Sequence, residues 1–475
     1  MRKIVVVLGI FAFNIGLFTL TSVYAQDAQP GAPGIGDSLY PSFGNGGYDV
    51  RHYTIDLTVD PSENLITAGI VTLEATATQA LSSFNLDLIG FENINVSVND
   101  SYAETTRDGQ ELTIVPAEIL SRGDLFTVVV RYSGEPTLTT SVALPVFAGW
   151  VFYGDGIFVV SEPDGAATFF PVNDHPLDKA TYTLRVTVPE PFDVAMNGVV
   201  TEIIDNGDTT TTVSEVNQPM ASYLLTINIA DFDLMEATAI NNVPIRNYLA
   251  SELPTLVSDS LADQAAMLAY FETLFGDYPF DVYGSVVLNT ELGGALETQT
   301  LSIFGADAFE EGDPFNNEAI VAHELSHQWF GNSVSVNDWS DIWLNEGWAT
   351  YAEELWLAYD NGGDDLLDQQ MRDYYQFAQD AQLIPPGVPE ADDLFNASVY
   401  VRGALTLHAL RERIGDDAFF EIAREWAGRY AYGNADTDDF IALANEITGD
   451  DLAAFFDGWL YQEALPSIPE MGLGE

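Results

Sequence analysis

Two histidines four residues apart, with a glutamate directly after the first, are the part of this 475-residue sequence best equipped for chemistry. In Ala319-Ile320-Val321-Ala322-His323-Glu324-Leu325-Ser326-His327-Gln328-Trp329-Phe330 the apolar spacing predicts a helix over 316–330. On that helix His323 and His327 lie one above the other on a single face, so both can turn a ring nitrogen toward one ion. Glu324 stands beside the ion without ligating it and can take a proton from water. A third ligand is needed, leaving a fourth position open. Eighteen residues after His327, Glu346 opens a second helical run in Trp343-Leu344-Asn345-Glu346-Gly347-Trp348 and supplies it. Two imidazoles and a carboxylate suit Zn2+, and one catalytic zinc is the expected cofactor. The bland alternative is a chance match on an ordinary polar helix face. It has little room in a chain with five histidines, of which His52, His175 and His408 are read as structural.

Such a site depends on two helices held in fixed relation, and 47% hydrophobic residues over this length can build two or three domains. Between Tyr48 and about residue 250, apolar and polar residues alternate in short segments at 53–59, 70–75, 84–88, 126–130, 182–188 and 223–229. Period two with β-branched residues predicts an antiparallel β domain over 48–250. The spacing then turns helical over 256–275, 316–330, 341–359, 366–381, 397–414 and 417–430, with a strand expected at 285–289. The predicted architecture is multidomain, β then mainly α. A catalytic domain spans 251–468, a tail follows at 469–475, and the site lies in the cleft between the domains. Residues 26–47, rich in Gly, Pro, Ser and Asp, read as a flexible linker or loosely docked arm.

Met1-Arg2-Lys3, an apolar stretch from Ile4 to Leu20 and small residues up to Ala25 have the order of a secretory signal peptide, 1–25. The alternative is an uncleaved anchor, for which the run falls short of the ~20 residues a span needs. Export to the medium, periplasm or wall is expected, without stable membrane insertion after cleavage.

Beyond the metal motif the sequence resembles the zinc aminopeptidase family of alanyl aminopeptidase and leukotriene hydrolase, over about 48–466. The family's Gly-(Ala/Gly)-Met-Glu-Asn motif corresponds here to Gly294-Ala295-Leu296-Glu297-Thr298, with Leu for Met and Thr for Asn. The resemblance implies that Glu297 binds the substrate's free α-amino group and that Gly294, Ala295 and Leu296 form an edge pairing with the peptide backbone. It also points to Glu162, in Ser161-Glu162-Pro163-Asp164-Gly165, as a second carboxylate reaching in from the β domain. Tyr400, in Tyr400-Val401-Arg402-Gly403-Ala404, matches the family's Tyr-x-Lys-Gly-Ala, with Arg for Lys; it is implied as the donor to the oxyanion. Each has a plainer alternative: a glycine turn before a surface glutamate, a surface Glu162, a core tyrosine. The implied fold is thermolysin-like behind a β domain. Many relatives continue into a large C-terminal helical domain, and an unusually open site is expected here.

Composition narrows the partners. Seventy-three acidic residues against fifteen basic ones give a formal charge of -58, which disfavours nucleic acid and anionic membranes. With no cysteine the chain is neither a thiol enzyme nor cross-linked by disulfides. High-salt adaptation and a merely well-solvated surface explain the acidity equally well. The reading is a secreted, monomeric zinc aminopeptidase acting on peptides with a free N-terminus. A thermolysin-like endopeptidase, an epoxide-opening hydrolase and a non-catalytic peptide-binding relative are the alternatives.

Overall fold

The structure is a computed structural model that describes residues 27–474; the signal-peptide segment 1–25 lies outside the described residues. The β domain is built on an eight-stranded sheet ordered Val199–Asp205, Thr209–Met220, Ala180–Pro189, Tyr48–Asp60, Leu65–Ala77, Leu125–Gly134, Asn93–Val98, Ser101–Tyr102. Alternation does what the sequence predicts: Tyr53, Ile55, Leu57 and Val59 are buried while Thr54, Asp56 and Thr58 face outward. All neighbours in this sheet pair antiparallel except Tyr48–Asp60 with Ala180–Pro189, which are parallel. The long excursion between residues 134 and 180 makes that parallel crossover possible. It also carries the segment with Glu162.

Sheet membership corrects the domain boundary. Phe232–Thr238 and Pro244–Ala250, assigned from the sequence to the β domain, pair with Tyr283–Leu288, Ser302–Gly305 and Ala295–Leu296 in a five-stranded sheet of the catalytic domain. The boundary therefore lies near residue 231. Alternation announces a strand but not its partners. At 223–229 the expected strand is a 3-10 turn, Ser222–Leu224, followed by Ile227–Ala230.

The expected flexible linker is the second correction. Within 27–47, Gln29–Pro30 pairs with Leu81–Asp87, and Tyr40, Phe43 and Asn45 are buried. Buried Asp37 accepts hydrogen bonds from the amides of Leu39, Tyr40 and Trp339 and from His175 Nε2. The Leu177 amide donates to His175 Nδ1, which leaves Nε2 as the proton-bearing nitrogen toward Asp37. Ser38 bonds the Asp338 carboxylate, and Tyr40 Oη donates to the Ala391 carbonyl. Composition alone does not separate a linker from an arm whose backbone groups are satisfied by both domains.

Helices of the catalytic domain follow the predicted spacing, with breaks. The run 256–275 splits into Thr255–Ser260 and Gln264–Phe275. Pro314–Ser326 starts at a side-chain cap, Asp313 accepting from the Asn316 amide, and ends earlier than predicted, in turns through Phe330. Trp343–Asn361 crosses it, and Phe330 stacks on Trp348 with ring centroids 4.4 Å apart. The tail is docked as well: Met471 is buried and accepts from His408 Nε2 through its sulfur, which fits the structural role read for His408. Among the described residues no helix is long and apolar enough to cross a membrane.

Candidate active site

Pro314–Ser326, with its C-cap residue His327, brings His323 and His327 to one face, and the start of Trp343–Asn361 brings Glu346 opposite them. Glu346 Oε2 lies 3.4 Å from His323 Nε2 and 3.5 Å from His327 Nε2. Ligands at about 2.0–2.1 Å from a tetrahedral zinc stand roughly 3.3–3.4 Å apart, so these donors fit one zinc ion. The far ring nitrogens agree. His323 Nδ1 is 2.9 Å from Glu353 Oε2, and His327 Nδ1 donates to the Phe330 carbonyl at 3.0 Å. Each Nδ1 therefore holds the proton, and each Nε2 lone pair faces Glu346.

Glu353 escaped sequence reading. It stands seven residues after Glu346, two turns along the same face, and that spacing is the signal that could have found it. Burial pushes Glu324 up to about 8, and its buried Oε2 has no hydrogen-bond partner.

The side of the cleft across from the histidines is assembled from stretches far apart in the sequence. Ala295–Leu296 is a two-residue edge strand, paired antiparallel on one side with Phe304 and Ile303. Gly293 and Gly294 lead into it with φ of 83° and 148°, a backbone that side-chain-bearing residues rarely adopt. Glu297 follows, only 2% exposed. Its carbonyl accepts from Gln328 and Asn332, so the turns after the metal helix fix where its side chain begins. Glu162 arrives from the β domain. One oxygen each of Glu162, Glu297 and Glu346 fall within 4.8 Å of one another, and Oε1 of both Glu162 and Glu297 is buried without a partner. Burial, then the charge of Glu297, pushes Glu162 well above the usual carboxylate range.

Tyr400 sits in a π-helical turn, Ser398–Arg402, its ring 6.2 Å from that of His323. Burial and then the nearby carboxylates push its phenol well above 10, so it stays protonated and can donate. Two features hold the turn. The buried Arg402 guanidinium donates to the carbonyls of Leu383, Gly458, Trp459, Gln462 and Glu463, a planar fork spread over a helix end. Gly403 meets Gly347 of the Glu346 helix so closely that a Cβ on it would lie 2.9 Å from Gly347 Cα. A methyl on either glycine drives the tyrosine turn from the metal helix.

The structure thus gathers Glu162, Gly294, Ala295, Leu296, Glu297, His323, Glu324, His327, Glu346 and Tyr400 around one cleft. Residues 50–224 match the peptidase M1 N-terminal domain, and 260–459 the peptidase family M1 domain. An M1 zinc metallopeptidase of Deinococcus radiodurans superposes with a TM-score of 0.84 at 32% identity, covering 92% of this chain and 98% of that one. A mutant of that enzyme with a Tyr-Ser-Ala substrate bound gives the same score and identity. Aminopeptidase 2 of Candida albicans is 24% identical over 453 residues, 89% of this chain and 48% of the relative. Aminopeptidase A of Gloydius brevicauda is 27% identical over 325 residues, 65% of this chain and 34% of the relative. The chain spans between a third and a half of the length of these two curated relatives. By sequence, fold and the zinc-fitting donor set, the chain belongs to peptidase family M1, the zinc metallopeptidases.

Proposed function

We propose that the protein is an exported aminopeptidase that removes the N-terminal residue from peptides. The observation that carries this reading is the buried pair Glu162 and Glu297 beside the metal donors, each with an oxygen that has no hydrogen-bond partner and no lysine or arginine lining the cleft. Such a pair is costly unless a positive group comes to it, and a peptide's terminal ammonium is that group. Held there, the substrate has room for one residue before the metal. The unpaired side of the 295–296 edge aligns the backbone behind it.

His323, His327 and Glu346 would hold a zinc ion, which would supply a Lewis acid for the scissile carbonyl and a more acidic water. Glu324 removes a proton from the attacking water and passes it to the leaving amine. The Tyr400 hydroxyl donates to the oxyanion as it forms. The signal-like residues 1–25 support export, and peptides rather than nucleic acid fit the acidic composition. We take the working form to be a monomer.

The test is release of single residues from aminoacyl fluorogenic substrates by the mature protein, with and without a chelator. Chelation abolishes release, Glu297→Ala impairs it, and N-acetylated peptides are not cut. Undiminished cleavage of N-acetylated peptides makes the protein an endopeptidase instead.

A further inference from the structure

Glu162, Glu297, Glu324, Glu346 and Glu353 share one cleft with His323 and His327, and no lysine or arginine lines it. Five carboxyl groups thus face one cleft with no fixed positive side chain along its lining. We infer that Glu162, Glu297 and Glu346 form a second cation site that takes a hard divalent ion where the substrate ammonium otherwise sits.

Three observations carry this. The ligand oxygens of the trio lie within 4.8 Å of one another. An ion with oxygen ligands at roughly 2.0–2.6 Å separates opposed ligands by about 4–5 Å, so the trio closes on such an ion with little movement. Oε1 of Glu297, a residue 2% exposed, and Oε1 of Glu162 are both buried without a hydrogen-bond partner. Buried acceptors of that kind call for a donor or a cation. Finally, the donor set is oxygen only. It favours Mn2+, Mg2+ or Ca2+ over a further zinc, whereas the imidazoles at the neighbouring position favour zinc. Glu346 is common to both positions, in the manner of carboxylates shared by paired metal ions.

Ion and ammonium then exclude each other. Divalent ions raise KM for peptides and leave kcat unchanged, so activity follows the balance of free cation and substrate. This competition rests on the proposed amine-binding role of Glu162 and Glu297; ion binding itself does not.

Mn2+ is the probe, since it binds oxygen ligands and competes least for the zinc position. Holoenzyme carrying one equivalent of zinc is titrated with Mn2+, and free ion is followed by electron paramagnetic resonance. Wild type is expected to hold one Mn2+ more per chain than either Glu162→Gln or Glu297→Gln, each checked for zinc content and circular dichroism. A free amino-acid amide releases that ion, and KM rises severalfold with Mn2+ in the wild type only. Equal Mn2+ binding by wild type and both variants overturns the site, because only exposed carboxylates are then binding. If the extra ion is bound but aminoacyl substrates are not cleaved, the ion site stands and the aminopeptidase reading falls.

Discussion

The two sides of the cleft are built on opposite plans. The metal side is local: its ligands and Glu353 fall within 31 residues, 323–353, on two crossing helices and the turn after the first, with Glu353 holding His323 and the Phe330 carbonyl holding His327. The amine side is remote: Glu162 and Glu297 come from different domains, and the contacts that place them cross the seam. Lys179 of the β domain donates to the carbonyls of Asn332 and Ser333, and Asn332 in turn holds the Glu297 carbonyl. Asn197 of the β domain bonds the Gln299 carbonyl, and the Gly198 amide bonds Thr300 Oγ1. Chemistry is thus entrusted to a rigid local frame. On the proposed reading, recognition of the chain terminus would depend on two domains staying in register.

Substitutions can break this contrast, and the largest effect belongs to the metal side. Glu324→Gln should lower kcat by about 10²–10⁴ with zinc content unchanged. Equal loss from a zinc-free protein preparation would instead assign Glu324 to holding the metal. Glu353→Gln should weaken zinc affinity by about 10–100-fold, read by competition with a chelator, with activity recovered in excess zinc. On the amine side Glu162→Gln and Glu297→Gln should act mainly on kcat/KM for free-amine substrates, with a loss of roughly 10-fold or more. A fall in kcat alone, at constant KM, would erase the distinction between the two sides.

The smallest effect on chemistry, and a larger one on stability, is expected in the seam. Asp37→Ala leaves His175 and three amides without their acceptor and should cost about 3–5 kcal/mol, measured by urea unfolding. Its pH dependence has a definite sign. Burial opposes ionisation of Asp37, but the hydrogen bonds from His175, Trp339 and Tyr40 outweigh it and hold the carboxyl below 3.8. With a folded value under the unfolded one, its stabilisation is complete above about pH 4 and is lost as pH falls through the folded value. Asp37→Asn should flatten that acid-side decline. An unchanged decline would place the acid sensitivity elsewhere.

The same contrast governs what could be read from the amino acids. His323, Glu324, His327 and Glu346 were legible because one helical turn forces i and i+4 together, whatever the rest of the chain does. Glu353 obeys the same geometry and was within reach of it. Glu162 was not, since nothing local ties it to residues 297 or 346; only its likeness to a family segment marked it. Residues 232–250 were placed in the β domain by their position alone; their sheet is decided by the parallel pairing of residues 245–249 with 283–287, which local periodicity does not reveal. In the arm, Asp37, Tyr40 and Phe43 are single anchoring residues among glycines and prolines, and no periodicity announces isolated anchors.

The arm has a thermodynamic consequence. It is pinned to the β domain through Gln29, Gly31 and Asn45 and to the catalytic domain through Asp37, Ser38 and Tyr40. Neither domain can open without releasing contacts that also belong to the other, so their melting is cooperative. Calorimetry of the intact chain should show one heat-absorption peak. Proteolytic nicking within the arm should resolve that peak into two.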